Sequence, residues 1–301
     1  IDNDNDDNND DNDDYYLSNN ERRQLLQKVF SQLLTRLCIS PTALNDLTRK
    51  DDLILLFNVI TSWCPEHNSM WRKTAADTII TMAKHGNLNV DYLHSKNCIH
   101  LFVENVQRIL ELGTAPNNEI ILMIRTFILF MLEYVNHYQN SGNTNNSNLA
   151  IQILLDDFNE CFGYQCFVDF GIKLEQSEDF NLLAEFIDLI GCFTKIGIEQ
   201  LKPRPLSVNQ VFIIENFSIP KPSLKNSIKN LKAFSIYVSL WQKSQTIPLQ
   251  QMILNQIQQI YREDKANYFL LESQNTLSSF ADRLEEKNET IQSIYYSILE
   301  Y

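Results

Sequence analysis

The run Leu55-Leu56-Phe57-Asn58-Val59-Ile60-Thr61-Ser62-Trp63-Cys64 can be laid over Leu101-Phe102-Val103-Glu104-Asn105-Val106-Gln107-Arg108-Ile109-Leu110. Each run is followed by a second apolar stretch, Met70 to Gly86 and Ile120 to Val135, and the two-part unit as a whole repeats with an offset near 46 residues. A second offset, near 42, lays Ala233 to Tyr261 over Thr276 to Tyr301. Both fall close to the roughly 40 to 47 residue period of armadillo and HEAT helix pairs, in which each pair needs its neighbours to cover its apolar face. The fold this predicts is all-α, an armadillo/HEAT-like helical-repeat solenoid over residues 21 to 301. A compact helical bundle is the rival all-α arrangement.

The periodicity outside the repeats agrees. Leu25, Leu26, Val29, Phe30, Leu33, Leu34 and Leu37 step by three and four, as do Met252, Ile253, Ile257 and Ile260, and Leu182, Leu183, Phe186, Ile187, Ile190 and Phe193. Breakers separate such stripes at Pro41, Pro65, Gly86, Gly113 to Pro116, Glu175 to Asp179 and Pro248. With only 7 glycines in 301 residues, phosphate-cradling loops and many-turned β architectures are hard to build.

Three segments depart from the pattern. The first fourteen residues hold eight Asp and five Asn, and 1 to 20 read as a disordered acidic head that supplies most of the net charge of −13. Asn136 to Asn148 (N-H-Y-Q-N-S-G-N-T-N-N-S-N) reads as a flexible insert. Residues 203 to 222, bounded by prolines and rich in Val, Ile and Phe without a helical stripe, suggest an extended excursion that seals the side of the solenoid or serves as a docking strand.

Chemistry is sparse. His94, Cys98 and His100 fall at i, i+4 and i+6, and Cys64 and His67 form a C-x-x-H pair, so zinc can be written from residue types alone; no C-x-x-C supports it, and no metal or cofactor is expected. No G-x-S-x-G, H-E-x-x-H, P-loop or activated cysteine motif occurs, and carboxylates such as Glu185 and Asp188 are spaced as solvated helix faces, so the chain reads as no enzyme. Lys221, Lys225, Lys229 and Lys232 form the longest basic concentration. It is too modest for nucleic acid, and it would reach an anionic membrane only if the four shared one exposed face.

The apolar stretch Ile120 to Val135 is broken by Arg125 and Glu133, which argues against a membrane span. Six scattered cysteines, at 38, 64, 98, 161, 166 and 192, fit buried free thiols in a reducing cytosol. A start at Ile1 and an end at Tyr301 inside a helical stripe suggest a piece of a longer protein.

A resemblance follows from particular residues. The run Ala266-Asn267-Tyr268-Phe269-Leu270-Leu271-Glu272-Ser273-Gln274-Asn275-Thr276-Leu277-Ser278-Ser279-Phe280-Ala281 is similar to a segment of Alfy-type (autophagy-linked FYVE protein-like) BEACH-domain proteins. Supporting matches are Asp51-Asp52-Leu53 with Leu56-Phe57, Cys64-Pro65 with His67-Asn68, Trp71-Arg72-Lys73, Leu154-Leu155-Asp156-Asp157-Phe158, Gln176-Ser177-Glu178-Asp179 and Leu201-Lys202-Pro203. Its large-volume-sphere members carry Asn-rich inserts.

The resemblance implies a non-catalytic scaffold segment, the armadillo-like N-terminal region of a very large cytosolic protein whose PH-like, BEACH and WD-repeat modules lie elsewhere. Its role would be in membrane traffic: autophagy, contractile-vacuole and lysosome-related traffic, cytokinesis. Partners would be other proteins or other segments of the same scaffold, with membrane contact made by other domains and no nucleic acid bound. No family binding residue transfers to these positions, so the binding surface stays unassigned.

The alternative is a peptide- or cargo-binding armadillo solenoid of the transport-receptor type. It would need a ladder of Trp/Asn pairs, whereas Trp occurs only at 63, 71 and 241. Trp71 and Phe269 are expected between neighbouring helices, and Asn267 as a cap on a helix or turn.

Overall fold

The computed structural model describes residues 18–37, 40, 42, 43, 46, 52–61, 69–86, 88–141, 144–197, 220–223, 225–272, 276–281 and 284–300. Among these, fourteen α-helices form and no strand does. They are α1 (Asn19–Leu37), α2 (Asp52–Thr61), α3 (Ser69–Lys84), α4 (Val90–Ser95), α5 (Cys98–Leu112), α6 (Asn117–Ser141), α7 (Thr144–Glu160), α8 (Gly163–Gln176), α9 (Phe180–Thr194), α10 (Leu231–Lys243), α11 (Ile247–Glu263), α12 (Ala266–Glu272), α13 (Thr276–Ala281) and α14 (Glu289–Leu299).

Side-chain capping sets many of the boundaries. Ser18 and Glu21 form a reciprocal capping box at the start of α1. The side chains of Asn89, Asp179, Asn230 and Asn288 each accept from a backbone N–H one turn into α4, α9, α10 and α14. Gly113, at φ 63°, closes α5 in the left-handed conformation a glycine adopts without a Cβ penalty.

The helices lie in two rows. One runs α2, α5, α8, α10, α13, and the other runs α3, α6, α9, α11, α14; each helix packs on its predecessor and successor in the row. Cross-row pairs such as α2 with α3, α8 with α9 and α10 with α11 complete the repeat. The offset of the sequence repeats is therefore the step from one pair to the next: α2 over α5 and α3 over α6, then α10 and α11 over α13 and α14.

Four helices lie outside the two rows, α1, α4, α7 and α12, and two of them break the repeat in the middle of the chain. α4 and α7 pack on one another and on α5, and α7 also covers α6 and α8. They give the middle of the chain a third helix per repeat.

The core is continuous through both rows and is densest around Phe127 of α6. Its ring stacks on Phe102 of α5 at 5.1 Å and on Phe158 of α7 at 4.6 Å. It also meets Phe130 of its own helix, Phe167 of α8 and Phe193 of α9 edge-on, at 5.5, 6.2 and 6.0 Å. Gly163 opens α8 directly against the Phe158 ring, where a Cβ would come within 2.4 Å of a ring carbon. Between Asn117 and Tyr138, α6 is long and apolar enough by composition to cross a membrane, which the charges at 125 and 133 do not prevent. Here Ile120, Ile124, Phe127, Ile128 and Met131 of that segment are buried against neighbouring helices.

The insert expected at 136 to 148 is not a loop. α6 continues to Ser141 and α7 begins at Thr144, so helix covers all of it except 142 and 143, which lie outside the described residues. The physical reason is local packing. Nδ1 of His137 lies 3.0 Å from the Lys84 carbonyl at the end of α3, over Gly86, and Tyr138 packs on Tyr134 at 4.7 Å. The acidic head lies outside the described residues up to 17, with 19 and 20 already in α1. Most of the 203 to 222 excursion also lies outside them, as does the side chain of Trp71.

Phe127→Ala should lower the unfolding free energy by about 3 to 5 kcal/mol, the range for emptying a packed aromatic site. Urea denaturation followed by circular dichroism measures it. A loss below about 1 kcal/mol would show that the layers do not depend on this ring.

Candidate functional site

Ser223 and residues 225–230, which lead into α10, form no helix and are held by polar groups from two sides. Thr194, at the end of α9, presents its carbonyl to the N–H groups of Lys229 and Asn230, both at 2.9 Å. From the other side the α11–α12 corner grips the same segment. Asp264 accepts from Ser223 N at 2.7 Å and from Ala266 N at 2.9 Å.

Asn267, fully buried, completes the latch. Its Oδ1 accepts from Ile228 N at 2.8 Å, and its Nδ2 donates to the carbonyls of Asn226 at 3.1 Å and Ile260 at 2.9 Å. The expected capping role is thus replaced by a larger one. Because a carboxamide carries donor and acceptor on one short arm, it can close an irregular backbone segment that has no helix to pair with. Phe269 is half-buried, with its ring 5.2 Å from that of Tyr268.

Two hollows flank the latch. One, of about 280 Å³, includes Gln152, Asp156, Tyr164, Lys229 and Lys232 in its wall; the other, of about 200 Å³, includes Asn136, Cys192, Lys195, Lys225 and Lys229. Lys229 borders both, and burial pulls its ammonium below the ordinary lysine value. Lys195 is paired with Glu263 at 2.5 Å. Lys221, Lys225 and Lys232 are exposed and Lys229 is half-buried; Lys232 lines the first hollow, Lys225 the second and Lys229 both.

Other candidate residues separate by burial. Cys98 sits on the inner side of α5, wholly buried, with its thiol pushed up to about 11. Burial also raises Cys161 to about 11, Cys166 to about 12, and Cys192, the opposite direction from an activated nucleophile. Cys64 and His67 lie outside the described residues. Glu185 pairs with Arg125, and Asp188 is raised by partial burial. Arg72, buried in α3, pairs with Glu119 of α6 and ties two helices of one row. Glu175 accepts from the N–H groups of Gln245 and Thr246 and from the Thr246 hydroxyl, at 2.9, 2.7 and 2.7 Å, which fixes the α10–α11 turn.

His94 and His100, read with Cys98 as a zinc set, each lie by Asp157, so the structure sets carboxylates beside them in place of the thiol. Nδ1 of His94 lies 2.9 and 3.0 Å from the two oxygens of Asp157, a buried residue of α7. That hydrogen bond, then the charge of Asp157, raises the pKa of His94. His100, Asp157 and Glu160 place one donor atom each within 4.8 Å of one another. Asp157 and Glu160 were not singled out as ligands in the sequence, since nothing local connects them to His100.

Against known proteins the chain shows distant similarity along almost its whole length. It is 24% identical over 283 residues to WD repeat- and FYVE domain-containing protein 4 of Homo sapiens and 23% identical over 282 residues to that of Mus musculus, 91% of this chain in each case. The chain spans 8% of the length of either relative. No family model matches it, and no solved structure does. The similarity is consistent with a segment of an Alfy-type BEACH-family protein.

Asn267→Ala should cost about 3 kcal/mol, because the Ile228 N–H and two carbonyls lose their partner in a buried site. Asn267→Asp gives a pH signature. Against two carbonyls the neutral acid is favoured, so its folded pKa rises above the ordinary ~3.9. Its stability relative to the parent is therefore best at acid pH and falls as pH rises through that folded value. Denaturation midpoints from pH 4 to 8 check this, and a pH-independent difference would rule out the assigned donor geometry.

Proposed function

We propose that the chain is a non-catalytic scaffold segment of a large BEACH-family membrane-trafficking protein and acts by binding other proteins or other segments of its own polypeptide. The observation that carries the reading is similarity over 91% of the chain to a stretch forming 8% of a WD-repeat and FYVE-domain protein. The two-row architecture supports it, because stacked helix pairs offer length of surface rather than an enclosed pocket. The described thiols, all raised by burial, and the carboxylates engaged in ion pairs or helix faces favour no reaction.

The transport-receptor alternative draws less support. Of the three Trp residues, the one with a described side chain, Trp241, is buried against Phe280 at 5.7 Å and under the ammonium of Lys287, not set along a groove. Membrane association, in this reading, belongs to other domains of the parent, and this segment works in the cytosol.

Expressed alone with a fluorescent tag, residues 1 to 301 should remain diffuse in the cytosol, while the intact parent marks endomembranes. The tagged chain should also co-precipitate with separately expressed segments of the parent or with cytosolic proteins. Recovery of neither, or sedimentation of the isolated chain with membranes, would count against the scaffold reading.

A further inference from the structure

We infer that His100, Asp157 and Glu160 form a binding site for one divalent transition-metal ion, Zn²⁺ by ligand chemistry, at the seam between the α4–α5 and α7–α8 corners. His100 stands in the first turn of α5; Asp157 and Glu160 stand three residues apart in the last turn of α7, on the same side of the helix. Their donor atoms lie within 4.8 Å of one another. Metal–ligand distances of roughly 2.0 to 2.2 Å call for closer donors. Glu160 is exposed and His100 half-buried, so both can move inward by side-chain rotation alone.

Asp157 is the fixed member. It is 6% exposed, and His94 Nδ1 bonds both of its oxygens. With its proton on Nδ1, His94 would donate to one oxygen and leave the other for the metal, the outer-shell role such partners play. His94 is therefore a positioning residue and not a ligand. An imidazole with two carboxylates suits Zn²⁺, Co²⁺ or Mn²⁺, and no thiol belongs to the group: Cys98 is buried in the core, and the Cys161 thiol is bonded to the Asp157 and Phe158 carbonyls. The C-terminal end of α7 adds the partial negative charge of its helix dipole, which favours a cation. Both corners turn through left-handed residues that are not glycine, Asn97 at φ 52° and Phe162 at φ 61°, and a bound ion would join them. Its role would be to cross-link two layers of the repeat.

The test uses Co²⁺ and Zn²⁺ on the purified 301-residue chain, by isothermal titration and visible absorption. The expected result is one ion per chain, ligand-field bands for Co²⁺ without a thiolate charge-transfer band, and a rise in Tm with Zn²⁺. His100→Ala and Glu160→Gln, both outside the tight core, should fold as the parent does, bind at least tenfold more weakly and lose the Tm rise. His94→Ala should weaken binding by about tenfold, in the range of second-layer losses. No binding at micromolar metal, a thiolate band, or equal affinity in the parent, His100→Ala and Glu160→Gln would each overturn the site.

Discussion

Phe127 sits between Phe102 and Phe158, and through that stack α5, α6 and α7 become one unit. The constraint behind it is general: no helix pair in this chain can hide its own apolar face, so each layer is stable only when the next one covers it. Phe127 meets that requirement for both rows at once, because Phe167 and Phe193 bring in α8 and α9 edge-on. The rings pack at offset and perpendicular angles, which favour the positive edge of one ring against the negative face of another. A layer lost here would expose apolar surface on both sides.

Where the repeat is irregular, apolar burial alone cannot set the geometry and directional bonds take over. Ser223 and residues 225–230 form no helix, and Thr194, Asp264 and Asn267 accept from the N–H groups of Ser223, Ile228, Lys229 and Asn230. Glu175 does the same for the α10–α11 turn, and the buried pairing of Arg72 with Glu119 spans α3 and α6. Each of these groups is expensive to bury unless matched, so each admits one arrangement. The run that carries the family resemblance accordingly holds, as its second residue, the buried polar Asn267.

The sequence made the rows legible because they are periodic. Leu55 to Cys64 over Leu101 to Leu110 is α2 over α5, and the register survives because both helices bury the same stripe. Asn136 to Asn148 reads as a loop yet is helical apart from 142 and 143, which lie outside the described residues. Composition counts Asn and Ser as loop formers, but Tyr134, His137 and Tyr138 anchor the last turns of α6 against itself and α3, and tertiary contact outweighs propensity. Residue type alone makes Asn267 a cap, whereas its three partners lie in Asn226, Ile228 and Ile260. Only Ile260 is close in sequence.

The metal-ligating cluster shows the same limit from the other side. His94, Cys98 and His100 were visible together because local spacing is visible; yet α5 turns Cys98 inward, and the carboxylates that replace it come from α7. They arrive there because α4 and α7 are the helices that depart from the two-helix repeat and pack on each other. With two helices in every layer, the first turn of α5 and the last turn of α7 would not face one another. The regular layers supply length and stiffness, and the irregular ones bring together side chains distant in sequence; chemistry on this scaffold is therefore to be sought where the period breaks.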